Sequence, residues 1–548
     1  MRAAASRALC TVAFTFIGIA FSAAAEIEQT EHMVAMRDGT KLATVVYRPA
    51  KNEQPLPVVL ARGPYGTFGE PVGKTICDKG YVLVSQDMRG RHKSQGSDAV
   101  VFHNDGWSKN RDGHDTIDWI AKQKWCNGNV ATWGASALGI TQNMLAPEAP
   151  EALKAQYVGV AFSNMYEQGA YQGGVFRKSL LEQWLQSQKF DPESLRTFVA
   201  HPRYDDFWAE LSPESVAQRV HAPAIYMGGW YDIFLQGTIN SFVTVHNQGA
   251  GKARGNCRLI IGPYAHGTFD ELKYPEKSNK RPLADDPFRF YDYWLKGTDN
   301  GVPDDKPVNY YVMGDPEDSA APGNIWRSAE NWPPPFKPRT LYFHSVGRLA
   351  AEVPSAADAR LTYEYDPAHP VPTVGGQNLF LPKGPMDQRK VELRDDVRVF
   401  TTEALTEPLE VTGRIIAKLF VSSDCPDTDF TVKLCDVYPD GRSMLVTDGI
   451  LRARYRTSFR EEEFLEQGRV YELSVDLWST SLIFNKGHRV RVAVSSSNAP
   501  RFEPNPNTGK PFRADDETRV ATNTLHVSST SPSAIILPIY DGPTDEKN

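Results

Sequence analysis

Three residues far apart in the chain, Ser136, Asp232 and His266, have the types and the order that nucleophilic acyl chemistry needs. A serine hydroxyl is a poor nucleophile until a base takes its proton. An imidazole can be that base, and a carboxylate behind it fixes its tautomer and stabilises its charged form. Ser136 stands in Gly134-Ala135-Ser136-Ala137-Leu138-Gly139, between an apolar run and a helical stretch. Such a turn lifts a hydroxyl above a sheet, and its crowded backbone requires small neighbours. The helix start beneath the serine favours negative charge. The general form of this turn has glycine two residues after the serine, whereas Gly139 comes three after it. Asp232 closes GGWYD behind one apolar run, and His266 lies in IIGPYAHG behind the next. Each member therefore sits just past a strand, at the edge of the sheet where active sites of open α/β folds lie.

The elements that must position these residues alternate. Apolar runs at 43–47, 57–61, 81–86, 129–133, 224–227 and 259–261 read as strands, and 116–123 and 287–297 as helices, the pattern of a sheet covered by helices. With the serine turn, this predicts an α/β-hydrolase core. The stretch 146–220 is helix-rich and amphipathic, with SLLEQWLQSQ at 179–188, and it interrupts the strand rhythm as an inserted helical cap would. Beyond NWPPP at 331–335 come short alternating strands separated by Gly, Pro, Asp and Asn, the texture of an all-β sandwich or jelly roll. The expected organisation is a signal peptide over 1–25, hydrolase core over 26–145 and 221–330, helical cap over 146–220, and a jelly-roll β-sandwich over 331–548.

Bulk properties narrow the function classes. A net charge of -7 with 60 scattered basic residues leaves no basic tract to hold nucleic acid. Arg2 and Arg7 precede an apolar stretch over 8–21, followed by Ala23, Ala24 and Ala25, the order of a secretory signal cleaved after Ala25. That stretch is shorter than the roughly 20 residues of a spanning helix, and no later segment matches it. The mature chain is expected to be secreted or periplasmic, without a membrane span, and self-association into a homo-oligomer stays open. Cleavage would leave Cys77, Cys126, Cys257, Cys425 and Cys435, an odd set in which only Cys425 with Cys435 is a plausible bridge. His103 and Asp105 in HNDGW lack a further ligand at useful spacing, a surface loop accounts for them, and no metal is expected. GEPVGKT at 69–75 is one residue short of a phosphate loop, so no cofactor is implied.

The segments MRDGTKLATVVYRP, RGPYG, QDMRGR, DGHDTIDWIAKQKWCNGNVATWGAS, HPRYDDFW, GGWYDIF and GPYAHG together resemble the cocaine esterase and X-Pro dipeptidyl-peptidase family of hydrolases. That family also holds α-amino-acid ester hydrolases and glutaryl-cephalosporin acylases. DVRVFTTEALTEPLEVTG and DLWSTSLIFNKGHRVRVAVSSS resemble its jelly-roll domain, so the likeness runs from about residue 33 to 540. It implies that Ser136, Asp232 and His266 are the triad of a serine hydrolase. It also implies that the Tyr65 hydroxyl and the backbone N–H of Ala137 form the oxyanion hole. A glycine three residues after the serine is no departure within the family, but Ala137 is one, since many members carry tyrosine there.

In the α-amino-acid ester hydrolases acidic residues just after the catalytic aspartate bind the substrate ammonium. Here Ile233, Phe234 and Leu235 follow Asp232. Glu167 and the Asp205-Asp206 pair are the remaining candidates for an amine. Tyr166, Tyr171, Phe234 and Phe269 are candidates for an acyl or aryl pocket, or else for ordinary packing. The expected activity is cleavage of a small-molecule ester or amide through an acyl-enzyme, as a carboxylesterase or acylase. An X-Pro dipeptidyl-peptidase, a transacylase and a non-catalytic protein binding through its jelly roll stand as alternatives.

Overall fold

The computed structural model describes residues 26–275 and 280–542. The expected signal peptide, with its cleavage point, lies outside the described residues. The strands of the N-terminal half are β1 (Ile27–Ala35), β2 (Lys41–Pro49), β3 (Leu56–Gly63), β4 (Val82–Asp87), β5 (Cys126–Ala135), β6 (Leu153–Gly159), the short pair β7 (Tyr171–Gln172) and β8 (Val175–Phe176), β9 (Ala224–Tyr231), β10 (Arg258–Ala265), β11 (Val308–Val312) and β12 (Ile325–Ala329). Ten of them form one sheet in the order β1-β2-β4-β3-β5-β6-β9-β10-β11-β12. Its middle, from β4 to β11, is parallel, and its margins are antiparallel.

Alternation along β3 explains why its sequence reads as one apolar run. Val58 and Leu60 pack with Ile117 and Ile120 of α2 (Asp112–Ala121). Val59 and Ala61 face Ile76 of α1 (Glu70–Asp78) and lie in the cluster that holds Phe290 and Tyr291. A parallel strand covered on both faces has no polar side to show. The middle strands then stack their carboxyl ends at one edge, where the loops carrying Ser136, Asp232 and His266 emerge.

β6 corrects the expectation that 146–220 is a helical insertion throughout. LKAQYVG lies between β5 and β9 in the centre of the sheet, and the helical segment starts only after it. Two polar residues concealed it, of which Gln156 is buried and donates to Thr132 Oγ1 at 3.3 Å and to the Gln142 carbonyl at 3.2 Å. The segment that follows holds a π-helical turn at Met165–Ala170, the β7-β8 hairpin, α4 (Lys178–Ser187), α5 (Pro192–Ala200) and α6 (Asp206–Ala209). Arg91 ties the end of α4 to the core: it donates to the Gln188 and Lys189 carbonyls, pairs with Asp98 and lies over the Phe190 ring.

The C-terminal half is β-rich, with two antiparallel sheets of seven and four strands. It joins the N-terminal half through buried polar contacts. The Tyr231 hydroxyl donates to the Leu445 carbonyl at 2.9 Å, and Gln236 accepts from the Ser479 amide and hydroxyl. The proposed Cys425–Cys435 bridge is absent, and all five cysteines of the described residues are buried free thiols. Cys435 sits inside a strand of the four-stranded sheet, while Cys425 follows a strand of the seven-stranded sheet and packs on Tyr365 and Ala521. Among the described residues no helix is long and apolar enough to cross a membrane.

Candidate active site

The turn after β5 holds Ser136 at φ 58°, ψ -126°, a conformation that a residue with a side chain adopts only under constraint. Its neighbours supply that constraint. A Cβ on Gly134 would collide with the Cβ of Leu138, and one on Gly63 would lie 2.6 Å from the Leu138 Cδ1. The leucine that stands where the general motif has glycine therefore occupies room left by two other glycines. Gly139, on α3 (Ala137–Leu145), is pressed against the end of β6, which accounts for the displaced glycine.

The structure brings Ser136, His266 and Asp232 into one line. His266 Nε2 lies 2.9 Å from the Ser136 Oγ, and its Nδ1 lies 2.6 Å from the Asp232 Oδ2. With the proton on Nδ1, the imidazole donates to the carboxylate and accepts from the serine hydroxyl. Asp232 is fully buried at the end of β9, and its Oδ1 accepts from the Phe234 amide at 2.7 Å. The Phe234 ring meets the imidazole edge to face at 5.9 Å.

Ala137 is the first residue of α3, so its N–H has no partner within the helix. Tyr65, 41% exposed, accepts a hydrogen bond from the Trp184 indole N–H at 3.2 Å. That contact fills one lone pair of the phenol and orients its hydroxyl beside the wall of the site.

An apolar cavity of ≈ 370 Å³, counting its open mouth, lies beside Ser136. Its walls include Phe102, Phe162, Leu181, Trp184, Phe234 and Leu379, the last from the C-terminal half. Of the four aromatic residues expected to form a pocket, only Phe234 lines it. Tyr166 and Tyr171 stack on each other at 4.9 Å and donate to the Pro202 and Phe198 carbonyls, deep in the helical segment. Phe269 packs edge-on against Tyr231 and Tyr274. Sequence reasoning missed Trp184, Leu180 and Leu181, although their spacing on SLLEQWLQSQ marks the apolar face of a helix.

The acidic candidates lie elsewhere. Glu167 is pushed up to about 7 by burial, with Glu214 close by, and it touches Asn164 rather than the cavity. Asp205 caps α6 and accepts from His201, and Asp206 is the first residue of that helix. Asp105 is not on a surface loop: it is buried against Arg62 at 2.7 Å, with its carboxyl pushed up to about 6 by burial, while His103 pairs with Glu210.

Residues 38–194 and 180–268 match X-Pro dipeptidyl-peptidase (S15 family), and residues 300–536 match the X-Pro dipeptidyl-peptidase C-terminal non-catalytic domain. The chain is 34% identical to the cocaine esterase of Rhodococcus sp. (strain MB1 Bresler) over 92% of its own length and 97% of that protein's. Among solved structures, an aminopeptidase from a marine sediment Thaumarchaeota archaeon superimposes with a TM-score of 0.82 at 27% identity, covering 96% of this chain and 99% of that one. An α-amino acid ester hydrolase gives 0.79 at 27% identity, covering 96% and 98%. The protein belongs to the cocaine esterase and X-Pro dipeptidyl-peptidase family of hydrolases.

Proposed function

We propose that the protein is a serine carboxylesterase that cleaves small esters with an apolar acyl group through an acyl-enzyme. The observation that carries this reading is the hydrogen-bonded line from Ser136 through His266 to Asp232, opening on a cavity whose walls carry no charged side chain. Ser136 attacks the ester carbonyl as His266 Nε2 takes its proton. The resulting oxyanion is held by the Ala137 N–H and the Tyr65 hydroxyl, donors worth ~3 kcal/mol each in such sites. Collapse expels the alcohol, which leaves with the proton from His266. Water, activated by the same imidazole, then releases the acid and restores the serine.

In this reading the helical segment after β6 is a cap over the cleft, and the C-terminal sheets form a jelly roll that completes its wall. The N-terminal order of basic, apolar and small residues supports export of the mature chain to the periplasm or outside the cell. The S15 match supports a second reading, an X-Pro dipeptidyl-peptidase. Such an enzyme must hold its substrate's N-terminal ammonium, and the cavity offers no carboxylate for it.

A fluorophosphonate probe and a panel of p-nitrophenyl esters and Xaa-Pro anilides separate these readings. Labelling and ester turnover in the wild type, both lost in Ser136→Ala, are expected. No labelling of folded wild type would overturn the hydrolase assignment, and turnover of Xaa-Pro anilides without esters would replace it by the peptidase.

A further inference from the structure

Arg177 is 1% exposed, as the last residue before α4, and among the described residues no carboxylate lies within salt-bridge distance of it. A buried guanidinium without a counterion is costly, and carbonyl dipoles are what stabilise it here. Nη1 donates to the Gln168 carbonyl on the π-helical turn, and Nη2 to the Ile233 carbonyl at 3.0 Å. Its face lies over the Trp478 ring, from the C-terminal half, at 5.6 Å. Burial lowers its proton affinity, and Arg501 adds repulsion that Asp232 and Asp448 oppose.

The Ile233 carbonyl belongs to the same peptide group as the Phe234 N–H, and that N–H donates to the Asp232 Oδ1 at 2.7 Å. A guanidinium on the oxygen of a peptide polarises it and makes its N–H a stronger donor. One continuous chain therefore runs from Arg177 through the 233–234 peptide to Asp232, His266 and Ser136. We infer that Arg177 is a positioning residue of the active site, which holds the 233–234 peptide in one orientation and reinforces the charged, aligned state of Asp232 through it. The same side chain ties together three segments that also wall the cavity: Met165 and Gly169 flank Gln168, Leu180 and Leu181 follow Arg177, and Ile233 supplies its own side chain.

This inference rests on the hydrolase reading above, so every assay is normalised to active sites titrated with a fluorophosphonate and referred to Ser136→Ala. If Ser136→Ala keeps ester turnover, the hydrolase reading fails, whatever Arg177 does. Arg177→Gln removes the charge but keeps one donor, Arg177→Met removes both, and Arg177→Lys keeps the charge. Per active site, kcat is expected to fall at least tenfold in the glutamine and methionine variants, with KM changed less than threefold. Loss of a positive charge makes protonation beside it easier, so the acidic limb of kcat/KM should move to higher pH in both. Arg177→Lys should restore most of kcat and the position of the limb. If Arg177→Met does not fold, the glutamine and lysine pair decides the same question. Titrated sites that keep wild-type kcat and an unmoved limb in Arg177→Gln would overturn the inference and leave Arg177 a packing residue.

Discussion

Gly139 faces the Gly159 carbonyl so closely that a methyl group on it would lie 2.5 Å from that oxygen and 3.0 Å from the Ala161 Cβ. Backbone on the far side cannot swing away as a side chain could. Gly139→Ala should therefore push α3 from β6, costing about 1–3 kcal/mol as overpacking does. Because α3 begins directly after Ser136, kcat should fall together with the thermal unfolding midpoint. A variant with wild-type melting and wild-type turnover would mean that the contact is slack.

Asp232→Asn keeps the size of the side chain but presents an amide to His266 Nδ1. The imidazole then favours the wrong tautomer, and the expected loss in kcat is about 10⁴-fold. Active-site labelling should slow in parallel, measured as a second-order rate with the same fluorophosphonate.

Trp184→Phe tests the hydrogen bond to the Tyr65 hydroxyl while preserving an aromatic ring against Phe102, which stacks on Trp184 at 5.9 Å. One lost hydrogen bond of about 0.5–1.5 kcal/mol corresponds to a kcat decrease of roughly 2- to 12-fold. If the indole acts through the phenol, the double variant with Tyr65→Phe should be no slower than Tyr65→Phe alone. Additive losses would separate the two residues.

Glu167 gives a pH signature of stability. Its carboxyl is raised from 4.5 to about 7 by burial and by Glu214, with Arg414 opposing and Asp476 adding to the shift. Below pH 4.5 it is protonated folded or unfolded. Between the two values only the folded chain holds the proton, so stability falls as pH rises, and above pH 7 the full cost, ~3 kcal/mol, is present. Glutamine is neutral throughout. In urea unfolding, the stability of Glu167→Gln relative to wild type should rise from pH 4.5 to pH 8, whereas a constant difference would place the carboxylate in better solvation than its burial implies.

The hydrogen-bonded line of Ser136, His266 and Asp232 was legible in the sequence because each residue lies just past an apolar strand run and their order along the chain matches that of the fold. The strand β6 was not, since Lys154 and Gln156 break its apolar pattern and only the folded chain shows the Gln156 Nε2 hydrogen-bonded inside the core. The apolar cavity beside Ser136 was half legible. Trp184 declared an apolar helix face but not what it would cover, and Tyr166 and Tyr171 looked available until their hydroxyls were found bonded to carbonyls elsewhere. Arg177 carried no signal at all. Its significance comes from two carbonyls and a peptide plane that only tertiary structure brings together.

Leu379 gives the cavity a wall from the half of the chain that carries none of Ser136, Asp232 and His266. During synthesis, a ribosome that has just added His266 has joined all three residues of the hydrogen-bonded line, yet the wall that Leu379 supplies is still to be made. The cavity beside Ser136 is therefore closed only once the C-terminal half has docked.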